Sequence, residues 1–227
     1  MLDRLAWLSL EVLSLDRATD FYREAFALDP DTRDGTTVFH VGDQELRLVE
    51  PGPVPRGGLH VHFAMATPPD RYDDWVDRLG NDLDVTEHDF GSSRSLYCFD
   101  PNGHCVEIGS VGDPAATADL SGIFEVVLEV EDLQRAEHFY AALGFSVVDR
   151  GETRPRVRMT GPVDLELWEP QRGLADARGG VHVNVGFTGR VGTVPKRVTD
   201  LALAVERTDD VLRLQDPDGH YLTVTES

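Results

Sequence analysis

The sequence predicts an α+β protein of four strand–helix–strands units, paired in chain order into two domains. Three observations predict it: an internal duplication, a hydrophobic period that switches between 2 and 3.6, and a small polar joint between the copies. Leu15 to Tyr22 (LDRATDFY) returns as Leu133 to Tyr140 (LQRAEHFY), 118 residues on. Gly57 to His62 (GGLHVH) returns as Gly179 to Asn184 (GGVHVN), 122 residues on, and Asp100 to His104 (DPNGH) as Asp216 to His220 (DPDGH), 116 residues on. Near-constant offsets in three separate stretches mean a duplicated domain. The expected division is residues 1–110, a linker at 111–121 within the small-residue run Gly109 to Gly122, and residues 122–227.

Within each copy the elements follow from periodicity. Leu5 to Leu13 and Phe124 to Val130 read as strands. Ala18, Phe21, Tyr22, Ala25 and Phe26 share a helical face, as do Ala136, Phe139, Tyr140 and Leu143, with Gly144 as the stop. Strands follow at Thr37 to Val41 and Glu45 to Glu50, and again at Arg156 to Thr160 and Asp164 to Glu169. The pattern then restarts. A strand at Leu59 to Ala66 precedes a helix marked by Tyr72, Trp75, Val76 and Leu79 and closed by Gly80, then strands at Asp84 to Asp89, Ser95 to Phe99 and Cys105 to Gly109. Its counterpart is a strand at Val181 to Phe187, a helix marked by Val194, Val198, Leu201 and Val205, and strands at Val211 to Gln215 and Tyr221 to Thr225. Each helix can cover one face of its sheet, leaving the other face around a cavity.

Charge narrows the partners. Asp and Glu total 41 against 21 Lys and Arg, a net of −20, and Lys196 is the one lysine. Such a surface repels phosphate backbones and anionic lipids, so nucleic acid and membrane are not expected partners. The acids are spread along the chain, which suits a solvated, salt-adapted (halophilic) surface better than a site for cations. No apolar run approaches the roughly 20 residues of a membrane span. Met1 to Leu10 has neither a basic start nor a small-residue cleavage site, so the cytoplasm is the expected compartment. A hairpin at Asp100-Pro101-Asn102-Gly103 would set Cys98 opposite Cys105; in a reducing setting two small buried hydrophobes are expected rather than a disulfide.

The unit organisation, the Phe–Tyr pair on each first helix and the Asp-Pro-x-Gly hairpin before the last strand together resemble the vicinal oxygen chelate superfamily of glyoxalases, bleomycin resistance proteins and extradiol dioxygenases. The resemblance covers essentially the whole chain. It implies two glyoxalase-like domains, each a curved mixed sheet with helices outside and a divalent metal in its cup. A small-molecule substrate or ligand would chelate that metal through two neighbouring oxygens, and a homodimer is possible. Position by position, it puts Trp7, His60 and Glu107 at the ligand places of the first domain, and Glu125, His182 and Thr223 at those of the second. His60 and Glu107 suit one divalent metal, Fe²⁺ first, with Mn²⁺ or Zn²⁺ as alternatives. Trp7 cannot coordinate; its indole could instead stack a flat substrate. Glu45 is a possible replacement ligand unless it pairs with Arg47 on the same strand face.

One stretch resembles ring-cleaving dioxygenases more closely. Thr86-Glu87-His88, seven residues, Leu96-Tyr97, two residues, Asp100-Pro101-Asn102-Gly103, three residues and Glu107 reproduces their pattern, in which the Glu binds iron while His88 and Tyr97 would line the substrate cavity. An extradiol-type dioxygenase acting in the first domain is therefore the leading functional expectation. A glyoxalase-like isomerase or lyase using Glu125, Glu166 and His182, with a carboxylate moving a proton, is the alternative. A metal-free protein binding an antibiotic or aromatic molecule is the third. His62 shares a strand face with His60 and would ligate only if the strand register differs.

The charge excess sets a first expectation. The unfolding midpoint should rise as KCl goes from about 0.1 M toward molar concentrations, because the Debye length falls from about 10 Å to about 3 Å. A thermal melt series in KCl reads this directly; a flat or falling midpoint would contradict it.

Overall fold

The structure, a computed structural model, describes residues 2–51, 61–169 and 183–227. All four units form. The first has β1 (Leu2–Glu11), α1 (Leu15–Phe26), β2 (Pro30–Arg33), β3 (Thr36–Val41) and β4 (Gln44–Val49). The second has β5 (Val61–Ala66), α2 (Tyr72–Asp82), β6 (Thr86–Asp89), β7 (Arg94–Phe99) and β8 (Cys105–Gly109). The third has β9 (Gly122–Glu129), α3 (Leu133–Ala142), β10 (Ser146–Arg150), β11 (Arg156–Thr160) and β12 (Asp164–Trp168). The fourth has β13 (Val183–Gly189), α4 (Lys196–Leu201), β14 (Ala204–Arg207), β15 (Val211–Gln215) and β16 (Tyr221–Glu226). Among the described residues no helix is long and apolar enough to cross a membrane.

The helices start and stop for local reasons. The Ser14 side chain caps α1 by accepting from the Arg17 amide, and α1 ends where Ala27 turns left-handed. Asp132 caps α3 in the same way, and Gly144 takes φ 106° just past its end. Two expected boundaries move. Helix α2 runs through Gly80 to Asp82, and α4 is only six residues long because Ala202 is extended, so Val205 falls on β14.

The strands pair into two eight-stranded mixed sheets, in the orders β14-β15-β16-β13-β1-β4-β3-β2 and β10-β11-β12-β9-β5-β8-β7-β6. The first sheet thus joins the first and fourth units, through antiparallel β1 and β13; the second joins the second and third, through antiparallel β5 and β9. This strand pairing crosses the expected division. Residues 1–110 and 122–227 do not each close a sheet; each supplies half of both. Each central strand pairs in parallel with the last strand of its own unit and leaves one edge open. Hydrophobic alternation says which face is buried but not which open edge is filled. The linker decides it locally, since Ser121 N donates to Ala66 O at 2.8 Å as the chain turns back into β9 beside β5.

The apolar faces of both sheets join one continuous core through the helices, with Phe26 of α1 against Trp75 of α2 at 6.0 Å between ring centroids. Units consecutive in sequence are tied by a buried polar clamp. Tyr22 OH donates to Asp100 Oδ2 (3.1 Å), and Asp100 Oδ1 accepts from the amides of Asn102 and His104. The fourth unit repeats it: Tyr140 OH donates to Asp216 Oδ2 (2.7 Å), whose Oδ1 accepts from the amides of Asp218 and His220. The repeated Phe–Tyr and Asp-Pro-x-Gly-His motifs are therefore clamp parts. Burial pushes the Asp100 carboxyl up, but the hydrogen bonds and charge of His104 outweigh it and hold the group below the usual carboxylate range. The hairpin also pairs Phe99 with Cys105 and Cys98 with Val106, one residue off the expected register, so the two buried thiols point to opposite faces.

Removing Asp100 leaves Tyr22 and two buried amides without their acceptor. Asp100→Ala should cost on the order of 3 kcal/mol, against about 1 kcal/mol for Tyr22→Phe. Urea unfolding of both variants checks the order; equal small losses would mean the clamp is not structural.

Candidate active site

On the first sheet, Trp7 is level with Glu45 on one side and Gly186 on the other, and Gly186 with Thr223. Trp7 is only 9% exposed, and its indole occupies the space a side chain at residue 186 would need: a Cβ there would lie 1.9 Å from Trp7 Cε2. The Arg47 guanidinium lies over the ring, 4.0 Å from its centroid. Trp7, expected to bind substrate, is therefore already covered. Glu45 is not a free ligand either, being held by Arg47 Nε (2.7 Å) and Arg33 Nη1 (2.8 Å). Thr223 Oγ1 donates to Asn184 Oδ1 at 2.9 Å. This face is filled by its own side chains.

The second sheet differs. Glu107 and Glu125 both lie level with Ala64, from β8 and β9, and Glu107 pairs with Tyr97 across β7. Strand alternation then brings His62, His88, Tyr97, Glu107, Glu125, Glu166 and Trp168 to one face. His62, Glu107, Glu125 and Glu166 are all buried, between 5% and 8% exposed. The described members of the two site sets that the sequence assigned to separate domains thus share one face, apart from Trp7 and Thr223, which lie on the other sheet. His60 and His182 fall outside the described residues. His62 lies beside Glu107, with Nε2 2.9 Å from Glu107 Oε2. Its ring meets Tyr97 edge-on at 5.7 Å, and Tyr97 meets His88 at 5.5 Å.

Electrostatics mark Glu125. Burial pushes its pKa up to about 7; Arg158 opposes this, Glu166 and Glu107 reinforce it, and His62 opposes it. Arg158 Nη2 lies 2.7 Å from Glu125 Oε2, but not at a hydrogen-bonding angle, so that buried oxygen has an ion-pair neighbour and no hydrogen bond. Glu166 accepts one hydrogen bond on each oxygen, from Arg156 Nη1 (2.8 Å) and from Trp168 Nε1 (2.5 Å), which leaves each oxygen a further lone pair. Burial, then the Glu107 charge, raises the Tyr97 hydroxyl well above its ordinary value, so it remains a neutral donor. Arg156, Arg158 and Trp168 were legible as alternating residues of their strands, but their place beside Glu125 depends on which units pair.

Residues 4–108 match the family described as the Glyoxalase/Bleomycin resistance protein/Dioxygenase superfamily. The whole chain is similar in fold to a candidate dioxygenase from Bacillus subtilis, with TM-score 0.73 and 15% identity over 99% of this chain and 85% of that one. It is similar also to glyoxalase I from Zea mays, with TM-score 0.70 and 19% identity over 98% of this chain and 92% of that one. No curated protein matches the chain. The first half of the chain thus matches a model of this superfamily, and the whole chain shares a two-domain fold with both structures.

The superfamily typically binds a divalent metal. Among the described residues no three His, Cys, Asp or Glu side chains converge on one point, because Arg156 and Arg158 hold the carboxylates. The donor chemistry nevertheless fits a cation: one imidazole, three buried carboxylates against two arginines, and a buried carboxylate oxygen without a hydrogen bond.

If Trp7 seals the first sheet, Gly186→Ala must displace it and should destabilise by roughly 1–3 kcal/mol. A Trp7→Leu change should recover most of that loss in a double-mutant cycle. Additive losses would show that the two residues do not share the space.

Proposed function

We propose that the chain is a metal-dependent enzyme acting on one small oxygenated molecule at the face shared by β5, β8, β9 and β12, with Glu125 as the carboxylate that takes and returns a proton. The observation that carries this reading is Glu125 itself: buried, level with Glu107, with an oxygen lacking a hydrogen bond and a pKa of about 7. A base with its pKa near the working pH is both available and strong enough to act. His62, Glu107 and Glu166 would hold the ion, and two carboxylates beside one imidazole suit Mn²⁺ better than a softer metal. When bound, the ion supplies Lewis-acid stabilisation to two neighbouring oxygens of the substrate. Tyr97, kept neutral, donates a hydrogen bond to a substrate oxygen, and Trp168 with Tyr97 walls the site from water. The reaction class is isomerase or lyase. A cytoplasmic setting and a homodimer belong to the same proposal.

The ring-cleaving reading is favoured by a different observation, the contact series His88–Tyr97–His62 beside Glu107. It asks for Fe²⁺ on two imidazoles and one carboxylate, and Glu125 stands where a second imidazole would be wanted.

Proton exchange separates the two. In D₂O, the Mn²⁺-loaded protein should exchange the carbon-bound protons next to the carbonyl of hydroxyacetone, followed by NMR. Glu125→Gln should slow the exchange by about 10²-fold or more. Ring-opened catechol from the Fe²⁺-loaded protein under air, with no proton exchange, would replace this reading with the dioxygenase one.

A further inference from the structure

In the third unit, the strand that corresponds to β3, β7 and β15 lines the site with two arginines. On the site side of each sheet, β3 presents Val38 and His40, β7 presents Ser95 and Tyr97, and β15 presents Arg213 and Gln215. Strand β11 presents Arg156 opposite Trp168 and Arg158 opposite Glu166. Just before it, Arg154 places its guanidinium 5.0 Å from the Trp168 ring centroid. Three arginines in alternate positions converge on a site in a chain whose net charge is −20.

Their donors are unevenly used. Arg156 reaches Glu166 through Nη1 and Asp149 through Nη2 (2.7 Å). Arg158 makes both its contacts, to Glu125 (2.7 Å) and Asp164 (3.2 Å), through Nη2. Among the described residues its Nη1 and Nε make no hydrogen bond. Its side chain is 37% exposed beside the buried Glu125. Each guanidinium N–H donates a charge-assisted hydrogen bond to a carboxylate oxygen, stronger than a neutral one.

We propose that the substrate of this site carries a carboxylate next to the oxygens that undergo the chemistry, bound by Arg158 with Arg156 beside it. This substrate class rests on the metal-dependent reading above. Arg158 serves as a specificity residue: it reads the anion, while Glu125 acts on the neighbouring carbon. The unused Nη1 and Nε, rather than the Nη2 held by protein carboxylates, each offer the substrate carboxylate a single charge-assisted hydrogen bond, so binding need not break an ion pair within the fold. Arg156 keeps the local charge favourable and holds Glu166 in place.

Diphenols test the assignment without turnover, because they carry two neighbouring oxygens with or without a carboxylate. Catechol, 2,3-dihydroxybenzoate and 3,4-dihydroxybenzoate are titrated calorimetrically into the Mn²⁺-loaded protein, with bound Mn²⁺ measured for every variant. At least one dihydroxybenzoate should bind tenfold or more tightly than catechol. In Arg158→Gln, compared at equal Mn²⁺ occupancy, that preference should fall to within about threefold, while Arg158→Lys should recover part of it. A metal-loaded wild type that binds all three alike, or a preference that survives in Arg156→Gln/Arg158→Gln, overturns the substrate class alone. A wild type that retains no Mn²⁺ brings down the metal-dependent reading and this proposal with it.

Discussion

The antiparallel pairing of β5 with β9 is the contact on which the candidate site depends. It sets Ala64 opposite Glu125, and the parallel pairing of β5 with β8 sets the same Ala64 level with Glu107. A residue with almost no side chain thus separates two buried carboxylates from opposite halves of the chain. Burial raises Glu125 most, and in this arrangement the Glu166 and then the Glu107 charge add to it. The alternative, closing each half on itself, would give Glu107 and Glu125 to different sheets and leave Glu125 beside Glu166 alone.

The pseudo-equivalent pairing, β1 with β13, shows what the same architecture becomes when an indole and its paired neighbours fill it. Trp7 lies level with Gly186, and the indole and its Arg47 cover take the volume that His62, Glu107 and Glu125 enclose on the other sheet. Two faces with one ancestry of pattern have diverged, one into packing and one into a polar site. The repeated tyrosine–aspartate clamp explains how such divergence is tolerated. It ties the first unit to the second and the third to the fourth through groups remote from either face, so changes on the faces leave the frame intact.

Much of this was legible in the sequence. The duplication gave four units, and alternation placed Tyr97 and Glu107 on one side of their hairpin, as found. The unit partners were not legible, because Leu8, Phe63, Val126 and Val185 report a buried face without reporting which neighbouring strand fills the open edge. That ambiguity alone moved Trp7 into the wrong company and kept Glu125 and Glu166 apart from Glu107. It also made His62 look redundant. The dioxygenase-like spacing from His88 to Glu107 describes one unit truly, yet the chemistry of the site turns on the next unit, where the corresponding strand offers a carboxylate.

The most direct test is the metal content of two single variants from opposite halves of the chain. Each of Glu107→Gln and Glu166→Gln is loaded with Mn²⁺, desalted and assayed for metal per chain. A shared site predicts about one ion per chain in the wild type and a marked loss in both variants, with the folded state retained by circular dichroism. Full retention of metal in Glu166→Gln, alongside its loss in Glu107→Gln, would show that the two carboxylates do not serve one site and would contradict the account.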